Sequence, residues 1–339
     1  MSDHPAIRGE VWQMFDHIHL GANVTQVSQA DACRVLRLSD PTGDGFMTMY
    51  RVFDGVYLMY NDFHLRECPS QMQGAQDVLC IDHCREGRME QRLNNNQTYF
   101  MEPGTLRIDR RVHHSGQVIL PTCHYHGITL IFDTLYAPEA LRKACPAVTI
   151  DLQALARQFC AGDRPTVLHG SPGVEALFYQ LYHLPGQVEP DFLKVKVLEI
   201  LLYLRTQPIR EADRETAYFY ADQVEKIRAV HDYLLADLSV THSLPELAAQ
   251  FSLTETALKR CFKQMYGTSV YAYLKGYRLQ QAALTLRAEP DTAVAEIAQR
   301  VGYSSHSKFS AAFRAQFGVT PQEYRERNAG DLLPKEERE

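Results

Sequence analysis

The last third of this 339-residue chain repeats itself, and the repeat narrows what the chain can fold into. Glu246-Leu247-Ala248 returns as Glu296-Ile297-Ala298 at an offset of 50, and Phe251 and Leu253 return as Val301 and Tyr303 at the same offset. Further on the offset is 51: Leu258, Phe262, Tyr266, Gly267 and Tyr273 match Phe309, Phe313, Phe317, Gly318 and Tyr324. One residue has entered between two helical patterns, where a turn absorbs it. Each copy therefore reads as a short amphipathic helix, a tight turn and a longer helix closed by glycine. That layout is a helix-turn-helix, present twice. Ser243, with Glu246 three residues on, is a capping-box start for the first copy. Gly302 lies in the turn of the second copy, whereas the first carries Ser252 there, where left-handed backbone costs more.

If 258, 262 and 266 point inward, Thr256, Lys259, Arg260 and Lys263 point outward; in the second copy the outward set is Ser305, His306, Ser307, Lys308 and Arg314. Residues 254 to 327 hold eleven Lys or Arg against six Asp or Glu, a local balance of +5 in a chain of net charge −6. The protein as a whole is no polycation, so any nucleic-acid contact needs this patch. Between the copies, VYAYLKGYRLQQAALTLRA (270–288) reads as one helix about 28 Å long. Such a rod holds two recognition helices near the ~34 Å that separates successive major grooves on one face of double-stranded DNA. A helical bundle with a solvated basic face is the plainer alternative, and the repeat, the turn glycine and the local charge reversal together argue against it.

The stretch EIAQRVGYSSHSKFSAAFRAQFGVTPQEYR, with Gly302-Tyr303, Phe309, Phe313, Phe317-Gly318, Thr320-Pro321 and Tyr324-Arg325, is similar to the signature of the AraC/XylS family of bacterial transcription regulators. The resemblance covers roughly residues 222 to 327. It implies that the second helix of each copy enters the major groove, with Thr256, Lys259 and Arg260 reading bases in the first copy and His306, Ser307 and Lys308 in the second. Lys263 and Arg314 suit phosphate contacts, which position the protein without specifying sequence. Because the outward residues of the second copy are small, base readout is expected to rest mainly on Lys259 and Arg260. The family also implies a regulator, more commonly an activator, with RNA polymerase as a partner and the bacterial cytoplasm and nucleoid as its location.

Residues 20 to about 135 read differently. CRVLRLS, GFMTMYRVF, GVYLMYNDFHL, DVLCIDHC, TLRID and HYHGITLIF are short strand patterns separated by turn signals such as Asp54-Gly55 and Pro103-Gly104. That spacing suggests a sandwich or small barrel. LQALARQFC, VEALFYQLYHL and FLKVKVLEILLYLR then follow as helices. The expected fold class is multidomain α+β: an N-terminal β-barrel-like sensor, a helical connector, and a C-terminal all-α domain of two helix-turn-helix units joined by a long helix. The domains are read as 1–165 (regulatory), 166–216 (connector, dimerisation segment and linker), 217–327 (DNA-binding) and 328–339 (charged tail).

A β-rich domain ahead of such a DNA-binding domain resembles the family's cupin-like effector domain. Pro103-Gly104 followed by His113 and His114, and His124 and His126 on one strand face, are the features that carry this likeness. Tyr57, Tyr60, His64, Tyr99, His124 and His126 are candidates to line a small-molecule effector pocket, with Arg107 as an anion anchor. Metal-binding cupins place a Glu shortly after their paired histidines; Gly127 to Ile131 follow here, so neither a metal nor a cofactor is expected. Cys80, His83 and Cys84 lie close enough in sequence to seed a metal site, although the eight scattered cysteines read as reduced, buried thiols. No GxSxG, HExxH or phosphate-cradling glycine loop is present, so an enzyme is not expected, a metal-dependent cupin enzyme being the least favoured alternative. Leu193, Val197, Ile200, Leu201 and Leu204 form an apolar run read as a homodimer surface, or else as a cap on the chain's own barrel. The chain shows no membrane-length apolar run and no secretory start, and a soluble intracellular protein is expected.

Overall fold

The computed structural model describes residues 24–30, 32–69, 78–93, 96–110, 114–160, 165–184, 189–209 and 218–329. His113, the side chain of His114, most of the expected linker and nearly all of the charged tail lie outside the described residues. The chain divides into two compact units, 1–221 and 222–339, in keeping with a multidomain α+β protein.

The described strands of the first unit form two antiparallel sheets. The larger contains β1 (Val24–Gln29), β2 (Cys33–Asp40), β3 (Gly43–Phe53), β4 (Val56–His64), β6 (Val78–Gly87), β9 (Leu106–Asp109), β11 (Tyr125–Asp133) and β12 (Thr166–Leu168). Its spatial order is β1-β2-β3-β4-β11-β6-β9-β12. The smaller sheet runs β13-β8-β7-β10-β5, from β5 (Glu67–Pro69), β7 (Met89–Leu93), β8 (Gln97–Met101), β10 (His114–Ile119) and β13 (Phe219–Tyr220). Every strand pattern expected from the sequence is a strand of the larger sheet. The smaller sheet was not anticipated, because stretches such as MEQRL carry too few apolar residues to announce themselves, although Glu90 and Gln91 are buried.

The central strands of the larger sheet are apolar on both faces because both faces are covered. Alternation divides them cleanly. Val56 and Leu58 of β4, Leu79 and Ile81 of β6, Leu106 and Ile108 of β9, and Ile128, Leu130 and Phe132 of β11 face the helices. Tyr57, Met59, Phe63, Cys80, Cys84, Tyr125 and Ile131 face the smaller sheet, where Met47, Met49, Met89, Tyr99 and Met101 join them. Cys80 and Cys84 thus lie on one side of β6 while His83 stacks on Phe178 on the other, 4.3 Å between ring centroids, so these three do not converge.

Among the described residues, four helices cover the outer face: α1 (Ala137–Ala144), α2 (Leu152–Phe159), α3 (Pro172–Tyr182) and α4 (Pro190–Thr206). Leu193, Val197, Ile200, Leu201 and Leu204 of α4 are all at most 2% exposed and belong to the same core as the strand residues. The expectation that they form a dimer surface is therefore corrected. Their apolar run is satisfied by the chain's own sheet, and at about 1.5–3 kcal/mol per buried side chain that packing is needed to hold α4 in place.

The described elements of the second unit are all helices: α5 (Ala221–Ala236, its first residue closing the first unit), α6 (Leu244–Gln250), α7 (Glu255–Tyr266), α8 (Val270–Ala288), α9 (Val294–Arg300), α10 (His306–Phe317) and α11 (Pro321–Ala329). The repeat offsets appear directly in these bounds. α6 and α9 have seven residues each, 50 apart; α7 and α10 have twelve each, 51 apart. The aromatic stripe of α10 is core: Phe309 and Phe313 are fully buried with Leu279, Ala282, Ile297 and Val301. Phe317 and Tyr324 close it, each within 5.5 Å of the Phe313 ring centroid. Among the described residues no helix is long and apolar enough to cross a membrane.

Candidate DNA-binding interface

Each copy begins its second helix on a hydroxyl cap. The Thr254 Oγ1 accepts the Ala257 N–H at 3.1 Å, and the Ser305 Oγ accepts the Lys308 N–H at 3.4 Å. Each ends it on a left-handed glycine, Gly267 at φ 82° and Gly318 at φ 76°. The preceding turns are also left-handed in both copies, at Ser252 (φ 52°) and Gly302 (φ 82°). The first copy therefore makes the same turn as the second with a side chain in place, at a strain of about 1 kcal/mol.

The equivalent caps give α7 and α10 a common register along their axes. Thr256, Lys259, Arg260 and Lys263 are exposed along α7, and His306, Ser307, Lys308 and Arg314 along α10. Ser305 differs from the rest of its set: it is half-buried, and its hydroxyl is engaged as the cap. Counted from the caps, Lys263 and Arg314 are equivalent, and Thr256 stands where Ser307 stands. Lys259 and Arg260 correspond to Ser310 and Ala311, which sequence reasoning did not nominate. The offset of 51 already carried that information; choosing outward residues by chemistry rather than by register hid it.

Charge on this surface is partly committed. The Lys259 ammonium lies 3.0 Å from the Glu255 carboxylate one turn back, an exposed pair that a phosphate or a base edge can displace at little cost. Arg300 is held by Glu289 at 2.8 Å and Glu296 at 2.7 Å, so it braces α9. α8 spans Val270–Ala288 as one helix, about 28 Å at 1.5 Å per residue.

The seven effector-pocket candidates do not meet in one place. Arg107 is 1% exposed and donates from Nε and Nη2 to Asp82 Oδ2 at 2.9 and 2.7 Å, and from Nη1 to the Tyr99 hydroxyl. Thr129 donates to the other Asp82 oxygen at 2.8 Å and itself accepts from Asn61 at 3.0 Å. Arg107 and Tyr99 are thus members of a closed network between the sheets, and the anion-anchor expectation is corrected: the guanidinium already has its carboxylate. Tyr57 faces the same interior, while Tyr60, three residues on, faces the helices and donates to the Leu181 carbonyl at 2.9 Å. There it joins His126, Tyr182 and His83, whose imidazole burial lowers to about 4. His64 and His124 lie elsewhere, side by side with centroids 4.9 Å apart, near Asp62 and Glu86 respectively. A cleft of about 140 Å³ lies between α2 and α4, lined by Ile150, Leu155, Leu201, Leu202 and Arg205 among others, and none of the seven candidates reaches it.

A helix-turn-helix domain family matches residues 247–327, from within α6 into α11. Over 139 residues the chain is 35% identical to the HTH-type transcriptional activator RhaR of Mannheimia succiniciproducens, covering 41% of this chain and 46% of RhaR. The C-terminal domain is an AraC-type helix-turn-helix domain. The HTH-type transcriptional regulator MtrA of Neisseria gonorrhoeae is 36% identical over 83 residues, 24% of this chain and 27% of MtrA. Among solved structures, a transcriptional regulator from Chromobacterium violaceum described as AraC-type is 28% identical over 31% of this chain and 93% of its own, with a TM-score of 0.29. The matches thus span less than half the length of these curated relatives, 46% and 27%, and the sequence likeness resides in the AraC-type domain.

Proposed function

We propose that the protein is a sequence-specific transcription regulator that reads two adjacent major-groove segments of double-stranded DNA with α7 and α10. The observation that carries this reading is the pair of equivalent recognition helices, each with an exposed outer face, joined by the single rod α8. A rod of that length sets the two helices about one DNA turn apart, so one polypeptide spans a bipartite site. Lys259 and Arg260 supply base contacts through long basic side chains suited to guanine edges, His306 and Ser307 supply shorter contacts, and Lys263 and Arg314 grip phosphates. The relatives named RhaR are activators, which favours activation and RNA polymerase as a partner. The first unit is then the regulatory domain, through which a small effector shifts the population competent for DNA.

A second reading has its own support. The interior between the two sheets is occupied by methionines, tyrosines and the Asp82–Arg107–Tyr99 network, as expected of a domain that serves assembly in a constitutive or architectural regulator. Selection from a random-sequence duplex pool tests the first reading. Enrichment of a bipartite site, relaxed at different parts by Lys259→Ala with Arg260→Ala and by His306→Ala with Ser307→Ala, is the expected result. No enrichment by either the full chain or residues 222–339 would sink it, whereas enrichment by the fragment alone points to control by the first unit.

A further inference from the structure

Arg278 is the ninth of the nineteen residues of α8, at the middle of the rod. Its guanidinium reaches out of the helix into a three-way contact. Nη2 donates to the Val240 carbonyl at 2.8 Å, in the loop that leads from α5 to α6 in the first copy. Beside it lies Gly302, the left-handed turn of the second copy: a Cβ built there would stand 2.8 Å from Arg278 Cζ and Nη2 and 2.4 Å from the Leu238 carbonyl oxygen. Gly302 therefore does more than permit the turn. Its bare backbone is the seat for a planar guanidinium and for the Leu238 carbonyl, in the loop that leads into the first copy.

The rod is weakest at this point. Gly276, two residues earlier, has no neighbour within 4 Å of where a Cβ would stand, so no close packing demands glycine there. A glycine inside a helix lowers its stability and its resistance to bending. Were α8 and the Leu238 carbonyl seated on Gly302 their only links, the two copies could roll about that point and the recognition helices would lose their fixed separation.

We propose that Arg278 is a positioning residue that clamps the two helix-turn-helix copies to each other and so sets the spacing between DNA half-sites that the protein accepts. The Val240 carbonyl ties the guanidinium to the loop that leads into the first copy, and the close approach of the guanidinium to Gly302 ties it to the second. The clamp touches no DNA; it acts by fixing the phase of α7 relative to α10. This inference rests on the two-groove reading, and its test separates the two.

The full-length protein, wild type and Arg278→Met, is measured on the selected bipartite duplex, on the same duplex with one or two base pairs inserted between or removed from between its halves, and on each half alone. Wild type is expected to lose about tenfold in affinity per base pair of displaced phase, because one pair rotates a half-site by roughly a tenth of a turn. Arg278→Met is expected to lose no more than about threefold per base pair, with each half-site bound within about twofold of wild type. In parallel, spin labels carried on unnatural side chains at Gln264 of α7 and Gln316 of α10 report the distance distribution without DNA. A narrow distribution in wild type that broadens in Arg278→Met supports the clamp. Unchanged spacing profiles and an unchanged distribution overturn it. Should Arg278→Met lose its helical signal, Arg278→Lys carries the same test, since it keeps a donor for Val240 and loses the planar face. A wild type that binds neither half would remove the DNA reading, while the label distances still judge the clamp.

Discussion

The two helix-turn-helix copies share a frame and differ in what they mount on it. Both have a seven-residue first helix, a left-handed turn, a hydroxyl cap, a twelve-residue second helix and a glycine stop. On that frame the first copy places Lys259 and Arg260, and the second, at the same register, Ser310 and Ala311. In the turn the inequality runs the other way: the first copy carries the strained Ser252, the second the unstrained but tightly seated Gly302. Backbone conformation is thus held constant across the repeat while reach and charge have diverged, which is what is expected if the frame serves stability and the outer face serves recognition.

The largest effect should fall on recognition by the first copy. Replacing Lys259 and Arg260 together by Ala should weaken specific DNA binding by about 100-fold or more, at about 1–3 kcal/mol per good base contact. His306→Ala with Ser307→Ala should cost only about fivefold at the other half of the site, since short side chains make fewer bidentate contacts. Equal losses in an electrophoretic or fluorescence titration would break the asymmetry.

Next in size is the turn. Gly302→Ala meets both a left-handed backbone and the Leu238 carbonyl oxygen at 2.4 Å, and should lower unfolding stability by about 2–4 kcal/mol. The converse substitution in the first copy, Ser252→Gly, should raise stability by about 0.5–1 kcal/mol, because the backbone is already left-handed there and the side chain is exposed. Denaturant unfolding of the two variants decides whether the turns are one structure under two sequences; a loss at Ser252→Gly would show that they are not.

A smaller gain sharpens the comparison from the other side. Ser310→Lys transplants the Lys259 position onto α10 and should raise affinity for the second half-site by about tenfold or less, with a steeper dependence on salt, since each added phosphate or base contact releases counterions. No change in the salt slope would mean that α10 does not lie against DNA at that register.

The helix-turn-helix copies were legible because each apolar position recurs at a fixed offset, because Gly267, Gly302 and Gly318 mark conformations that other residues resist, and because Ser243 with Glu246 is a local cap needing no tertiary partner. The larger sheet was legible because strands such as VYLMY and ITLIF are apolar on both faces. The smaller sheet was not, since its buried Glu90 and Gln91 look like solvent-facing residues until the surrounding structure supplies their environment.

The first unit shows where local reading stops. Side chains nominated for one pocket proved to point to opposite faces of the same strand, as with Tyr57 and Tyr60, a consequence of the two-residue period of a strand. Arg107 could be nominated as an anion anchor from its charge, yet its partner Asp82 is twenty-five residues away and adjacent only through the pairing of β6 with β9. The run Leu193 to Leu204 announced a buried helix face but not whose surface would bury it. By itself the sequence determined the repeat, its helices, the Ser243 cap and the glycine stops and the sign of its exposed face, because these depend on residues a few positions apart. Only the tertiary structure decided that Arg107 is satisfied, that α4 packs on its own sheet, and that Arg278 joins the Val240 carbonyl to Gly302, because each joins groups that are distant in the chain and meet only when the elements between them have folded.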